Sequence, residues 1–120
     1  MATVWEVTAC VFCRIVGGEL PADEVASSPA TLAFRDAEPA MPSHVLVVPR
    51  DHIESADALE PAHARVLSEM LQTAQQVARA EGIAGSGYRL VFNVGEDARN
   101  SVPHLHLHVL GGRPMDWPPG

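Results

Sequence analysis

The stretch Pro103-His104-Leu105-His106-Leu107-His108-Val109-Leu110 decides how the chain is read. Histidine alternates with leucine and valine. A period of two is the period of a β-strand, whose successive side chains point to opposite faces. The spacing predicts His104, His106 and His108 on one face and Leu105, Leu107 and Val109 on the other, against a core. Stability gives no reason for such a triplet. Each imidazole brings ring nitrogens that need partners when buried, and a core strand ordinarily carries apolar or β-branched side chains.

Working outward, residues 88–94 read as a strand with Leu90 and Phe92 on one face and Arg89, Val91 and Asn93 on the other. A polar loop, 95–100, joins it to the histidines. Before it, Val66, Leu67, Met70, Leu71, Ala74, Val77 and Ala78 recur at helical spacing, which makes them a core face. Pro61 suits the first turn of that helix and Gly82 its end. Further upstream, 25–28, 31–36 and 44–49 read as strands, 38–43 as a proline-punctuated connection, and 13–17 as a short helix closed by Gly17-Gly18. Strands joined by hairpin-like loops around one long helix predict an α+β domain on an antiparallel sheet. Residues 1–9 form a poorly specified arm, in which Trp5 is expected to pack on the domain or a partner; the domain itself is 10–120.

A chain of 120 residues suffices for one domain with a real core. The net charge of -7 counts against a nucleic-acid polymer as partner, because phosphates call for a basic groove. All 8 basic residues are arginines, so no lysine is available for a Schiff base. No stretch reaches membrane-spanning length and the start lacks a secretory pattern, so a soluble cytoplasmic protein with no membrane partner is expected.

Two constellations carry chemistry. Neutral imidazole is a good nucleophile near neutrality and can form a transient covalent intermediate. Cys10 and Cys13, the 2 cysteines, stand in C-x-x-C spacing, open to redox, structural or metal-ligand readings. With His52 and His104 they are candidates for a closed Cys₂His₂ zinc site of the structural type. Asp36, at a strand end, offers a carboxylate that can accept from two hydroxyls at once. His44 and His63 belong to neither constellation: His44 is expected to satisfy a local backbone group, and His63 to be exposed.

The histidine stretch is accompanied by Cys10-Val-Phe-Cys13-Arg-Ile-Val, Leu32-Ala-Phe-Arg-Asp36 and His44-Val-Leu-Val-Val-Pro-Arg-Asp-His52-Ile, and by the tail Gly111-Gly-Arg-Pro-Met-Asp-Trp-Pro-Pro-Gly120. Together these resemble the histidine-triad family of nucleotide hydrolases and transferases, and the tail resembles its Hint branch. The resemblance implies a five-stranded antiparallel sheet with two helices, continued into a ten-stranded sheet in a homodimer. It implies a purine nucleoside phosphoramidase acting on AMP–amine conjugates. It makes His106 the nucleophile, with His108 and Ser101 donating to phosphate or leaving group. It gives structural zinc to Cys10, Cys13, His52 and His104, and ribose to Asp36. It lines the base pocket with Val11, Phe12, Ile15, Leu20 and Phe34, sets Arg35 and Ala37 beside them, and puts Asn93 near the phosphate. It carries Trp117 toward the neighbouring subunit's pocket.

One departure stands out. The family's loop usually carries a Gly-Gln pair before the serine, and here it reads Asp97-Ala98-Arg99-Asn100-Ser101. Asn100 can offer a shorter amide to a phosphate oxygen; Arg99 faces extra phosphate or solvent. Competing readings keep the nucleophile but change the substrate to a dinucleoside polyphosphate or nucleotide sugar, or keep nucleotide binding without turnover. A catalytic zinc held by His104, His106 and His108 would leave the C-x-x-C without a role.

Overall fold

Valine-rich alternation builds the centre of the molecule. In the computed structural model, which describes residues 9–120, strand β3 (Ser43–Pro49) is buried along its whole length. It is flanked by β2 (Thr31–Arg35) and β5 (Leu107–Gly111), with β1 (Glu24–Ser27) and β4 (Tyr88–Val91) at the edges. The order is β1-β2-β3-β5-β4, with every described pairing antiparallel. The expected arm 1–9, with Trp5, lies outside the described residues apart from Ala9. No described helix is long and apolar enough to cross a membrane.

The long helix, α2 (Ala64–Ala80), covers one face of the sheet. Its Met70, Ala74, Val77 and Ala78 pack on Ala33, Val45, Val47, Leu107 and Val109. Pro61–His63 form a 3₁₀ turn ahead of it, where Nδ1 of His63 accepts from the Glu60 N–H at 2.9 Å; His63 is thus a half-buried cap instead of a free surface side chain. Gly82, at φ 72°, ends the helix in the left-handed conformation that glycine adopts without strain. Polar ties fix α2 to the sheet: Thr73 meets Thr31 at 2.8 Å, and Glu69 accepts from the Ser28 hydroxyl and the Ala30 N–H, each at 2.6 Å. The short helix α1 (Val11–Val16) covers the other face, where Phe12 joins Leu32, Phe34, Leu46 and Val48.

Several boundaries move from their predicted places, three of them around the histidine stretch and its neighbours. Helix α1 starts at Val11 because the Cys10 sulfur caps it, accepting from the Cys13 N–H at 3.3 Å. Strand β4 stops at Val91. The histidine stretch joins the sheet only from Leu107, so His104 and His106 precede the ladder. The register that pairs Val47 with Leu107 would next bring Leu105 opposite Pro49, which has no N–H to give. Leu105 donates instead to the Ile53 carbonyl at 2.6 Å. The alternation of faces survives: Leu105, Leu107 and Val109 enter the α2 core as expected.

The tightest backbone approach is at Gly111, where an added Cβ would lie 2.7 Å from Ile83 Cδ1 and 3.1 Å from its Cβ. Ile83 is buried and cannot swing away. Gly111→Ala is expected to lower stability by about 1–3 kcal/mol, read as a lower urea midpoint at unchanged slope; an unchanged midpoint would contradict this packing.

Candidate catalytic face and metal cluster

The α1 face gathers the candidate site residues. Phe12 stands edge-on to Phe34 (ring centroids 5.5 Å) and to His106 (5.2 Å), and His106 lies 5.0 Å from His108. Strand alternation supplies the rest of the face: Leu32 and Phe34 from β2, His44, Leu46 and Val48 from β3, and His108 from β5.

Backbone groups of fixed polarity decide which nitrogen of each ring is free. A carbonyl only accepts. The His104 carbonyl, 2.7 Å from Nδ1 of His106, therefore requires a proton there and leaves Nε2 with its lone pair. The Pro49 carbonyl, 3.0 Å from Nε2 of His104, does the reverse for that ring and leaves Nδ1 bare. A backbone N–H only donates. The Ala40 N–H meets Nδ1 of His44 at 3.0 Å, so the proton of His44 sits on Nε2.

That proton faces Nδ1 of His108 at 2.9 Å and Oδ2 of Asp36 at 3.4 Å. His108 thus accepts at Nδ1 and carries its own proton on Nε2; the Asn93 side-chain amide, 3.3 Å away, can accept that proton only with its oxygen and not its NH₂ turned to the ring. His44 does satisfy a local backbone group, as expected, but its exclusion from the site is corrected: it is the link between Asp36 and His108. No sequence signal tied position 44 to position 108, because the two meet only through the β3–β5 register. With Nε2 of His44 protonated, Asp36, His44 and His108 form a hydrogen-bond chain and do not fit a metal. Burial holds His44 below its ordinary pKa against the opposing pull of Asp36. Burial, followed by the neighbouring rings of His106 and His44, lowers His108 to about 4.

Cys10, Cys13, His52 and His104 converge separately, their ligand atoms all within 4.8 Å of one another. The Cys10 sulfur is 3.3 Å from Nδ1 of His104, and the Cys13 sulfur is 3.2 Å from Nδ1 of His52 and 3.5 Å from that of His104. Tetrahedral zinc, with bonds of about 2.3 Å to sulfur and 2.0 Å to nitrogen, sets S and N about 3.5 Å apart. The donor set therefore fits zinc. The Pro49 carbonyl is placed to orient the His104 imidazole, as the outer partner of a metal ligand would. Burial and the Cys10 sulfur push the Cys13 thiol up to about 12, a cost that a bound dication reverses.

Other expected residues divide. Asp36 uses Oδ1 for the Glu38 N–H at 2.8 Å and keeps further acceptor sites. Ile15 packs at the edge of the Phe12 cluster, Leu20 is half-buried, and Val11 and Ala37 are exposed. Arg35 is displaced from the nucleotide face: strand alternation turns it to the α2 side, where it pairs with Glu81 and Asp23. Ser101 and Asn100 line a groove with Val94 and Pro103. Trp117 is 80% exposed, with the Arg89 guanidinium 5.9 Å from its ring.

Comparison with known proteins agrees with this geometry. A family model described as "HIT domain" matches residues 17–115. The chain is 41% identical to "Adenylylsulfatase HINT1" of Arabidopsis thaliana over 112 residues, 92% of this chain and 76% of that protein. It is 40% identical to the "14 kDa zinc-binding protein" of Zea mays, covering 92% of this chain and 87% of that one. The crystal structure of a HIT family hydrolase from Legionella pneumophila superposes with a TM-score of 0.90 at 45% identity, covering 92% of this chain and 99% of that one. Fold and site together define an α+β nucleotide hydrolase with a histidine-based face. The chain belongs to the HIT family.

Because His108 is held near 4 against 6.5 for a free imidazole, its NMR titration midpoint is expected well below 6. The unfolded chain binds the proton more readily between those values, so stability should fall as pH drops from about 6.5 to about 4. A midpoint at or above 6.5 would contradict the accepting role of Nδ1.

Proposed function

We propose that the protein is a purine nucleoside phosphoramidase, cleaving AMP–amine conjugates through a nucleotidyl-histidine intermediate. The carrying observation is the pair of ring nitrogens: a lone pair on Nε2 of His106, and a proton on Nε2 of His108 next to it. His106 Nε2 forms a bond to phosphorus as the P–N bond to the amine breaks. The negative phosphate draws a second proton onto the His108 ring on binding, and this imidazolium gives its Nε2 proton to the leaving nitrogen, with Ser101 as a second donor, so that His108 returns to the neutral form and the free amine departs. Water then attacks phosphorus as the His106–phosphorus bond breaks. Its proton returns to His108, and AMP leaves.

Asp36 accepts from the ribose hydroxyls. Phe12 and Phe34, with Val11, Ile15 and Leu20, take the base, and Asn93 steadies the phosphate. The relative named as an adenylylsulfatase supports attack at an adenylyl phosphorus and differs in the leaving group. Structural zinc at Cys10, Cys13, His52 and His104 would tie α1 to the segment whose carbonyl orients His106, and supplies no chemistry to the reaction. The domain is residues 10–120 of a cytoplasmic enzyme. It pairs with a second copy across the edge strand β4, where Leu90 and, just past the strand, Val94 are 41% and 42% exposed, to give a ten-stranded sheet that brings Trp117 toward the partner's pocket.

Incubation with an adenosine 5′-phosphoramidate is expected to release AMP, and His106→Ala to slow release by roughly a thousandfold or more. Equal release by that variant would remove the nucleophile. His44→Ala, which frees His108 to adopt either tautomer, should cost roughly a hundredfold in kcat. Protein purified without chelator should hold about one zinc per chain, with Cys13→Ser lowering both metal content and Tm; two free thiols and no metal would count against the cluster.

A further inference from the structure

Protonation of a leaving amine asks His108 to carry a proton on both ring nitrogens, and its resting contact opposes this. At rest Nδ1 of His108 accepts from Nε2 of His44 at 2.9 Å. A second proton can enter only at Nδ1, because Nε2 already has one. Two N–H groups would then face each other. His44 cannot escape by changing tautomer, since its Nδ1 accepts from the Ala40 N–H at 3.0 Å and the residue is 7% exposed. Nor can it shed its proton, for a neutral imidazole that does so becomes an anion.

Asp36 offers the alternative acceptor. Its Oδ2 lies 3.4 Å from Nε2 of His44. One oxygen of Asp36 and one nitrogen of each ring all lie within 4.8 Å of one another. The His44 N–H can therefore exchange one acceptor for the other while the proton stays on nitrogen. The carboxylate has sites to spare. It offers about four lone pairs, of which the Glu38 N–H takes one on Oδ1 and His44 one on Oδ2, leaving the others for a ribose. Burial and the rings of His106 and His44 act against a charge on His108, and among the described residues Asp36 opposes them.

Resting on the phosphoramidase reading, we infer that Asp36 is a positioning residue for the acid as well as the ribose acceptor: its carboxylate draws the His44 N–H away from His108 and so lets His108 become the imidazolium that protonates the leaving amine. The protons balance. One enters His108 from solvent at Nδ1, and one leaves from Nε2 with the amine. His108 then keeps its proton on Nδ1, and the bare Nε2 receives the proton of the attacking water. His44 stays neutral and turned to Asp36 throughout.

The test uses two substrates, the AMP phosphoramidate of n-butylamine and the p-nitrophenyl ester of AMP. The amine nitrogen departs only with a proton, whereas p-nitrophenolate departs as the anion. Both values of kcat/KM report the steps up to loss of the leaving group, so a weaker grip on the ribose lowers both alike and cancels in the amide-to-ester ratio. Asp36→Asn keeps an acceptor oxygen and loses the charge. It is expected to lower that ratio about tenfold, the change for one pKa unit on His108. With the wild type, the 2′,3′-dideoxy forms of both substrates should slow together and leave the ratio within about twofold. An unchanged ratio in Asp36→Asn, whether both substrates slow or neither does, would make Asp36 a ribose contact alone and overturn the inference. So would a fall of about tenfold in the ratio for the dideoxy pair, because the hydroxyls and not the charge would then serve the acid. A wild type that cleaves the ester but not the amide would overturn the phosphoramidase reading, and the inference with it.

Discussion

The site depends on three backbone groups that cannot change polarity. The carbonyls of Pro49 and His104 can only accept, and the Ala40 N–H can only donate. Each touches one nitrogen of a histidine and so fixes the other. Three chemically identical side chains acquire three different faces: a bare Nδ1 toward the cysteines, a bare Nε2 beside Phe12, and a protonated Nε2 on His44 that passes the same assignment to His108. No ionised group is needed to do this. The arrangement costs only the hydrogen bonds that buried backbone groups require in any case.

The sheet makes those contacts possible by separating two jobs. The α2 face is an apolar core tied by a few polar clamps, and it accounts for most of the buried aliphatic side chains. The α1 face is shallower, more aromatic and rich in titratable groups. Pro49 stands where the two meet. As the last residue of β3 it pairs with Thr31 on one side, while its missing N–H ends pairing with the histidine segment on the other. That interruption releases His104 and His106 from the ladder, so that the carbonyl of His104 can turn back to the ring two residues on. Continuous β-pairing would have used that carbonyl across the sheet.

Burial then sets the electrostatics. His44, His104 and His108 are all held below the ordinary imidazole pKa, with desolvation as the first cause in each. Neutral rings are what the site requires, since a charged His44 would carry a proton on Nδ1 against the Ala40 N–H. The cysteines show the complementary effect: burial disfavours the Cys13 thiolate, and the geometry around it accommodates a cation that would restore it. The two histidine groups share the His104–His106 backbone yet face different surroundings, one the cysteines and one the Phe12 cluster.

Much of this was legible in the residues alone. Alternation at 104–109 placed histidines and aliphatics on opposite faces, helical spacing at 66–78 found the core helix, and C-x-x-C with His52 and His104 marked a ligand set that the fold does gather. These are local periods and pair spacings, which a chain carries in itself. Other features were not legible, because they arise between distant segments. The partner of His108 is set by β3–β5 register, 64 residues away. The outward turn of Arg35 follows from which face α2 covers. The sequence by itself determined the sheet, the helix and which side chains could do chemistry. Only the tertiary structure decided which nitrogen of each ring is free, because that depends on a carbonyl or an N–H brought up from another strand or turn.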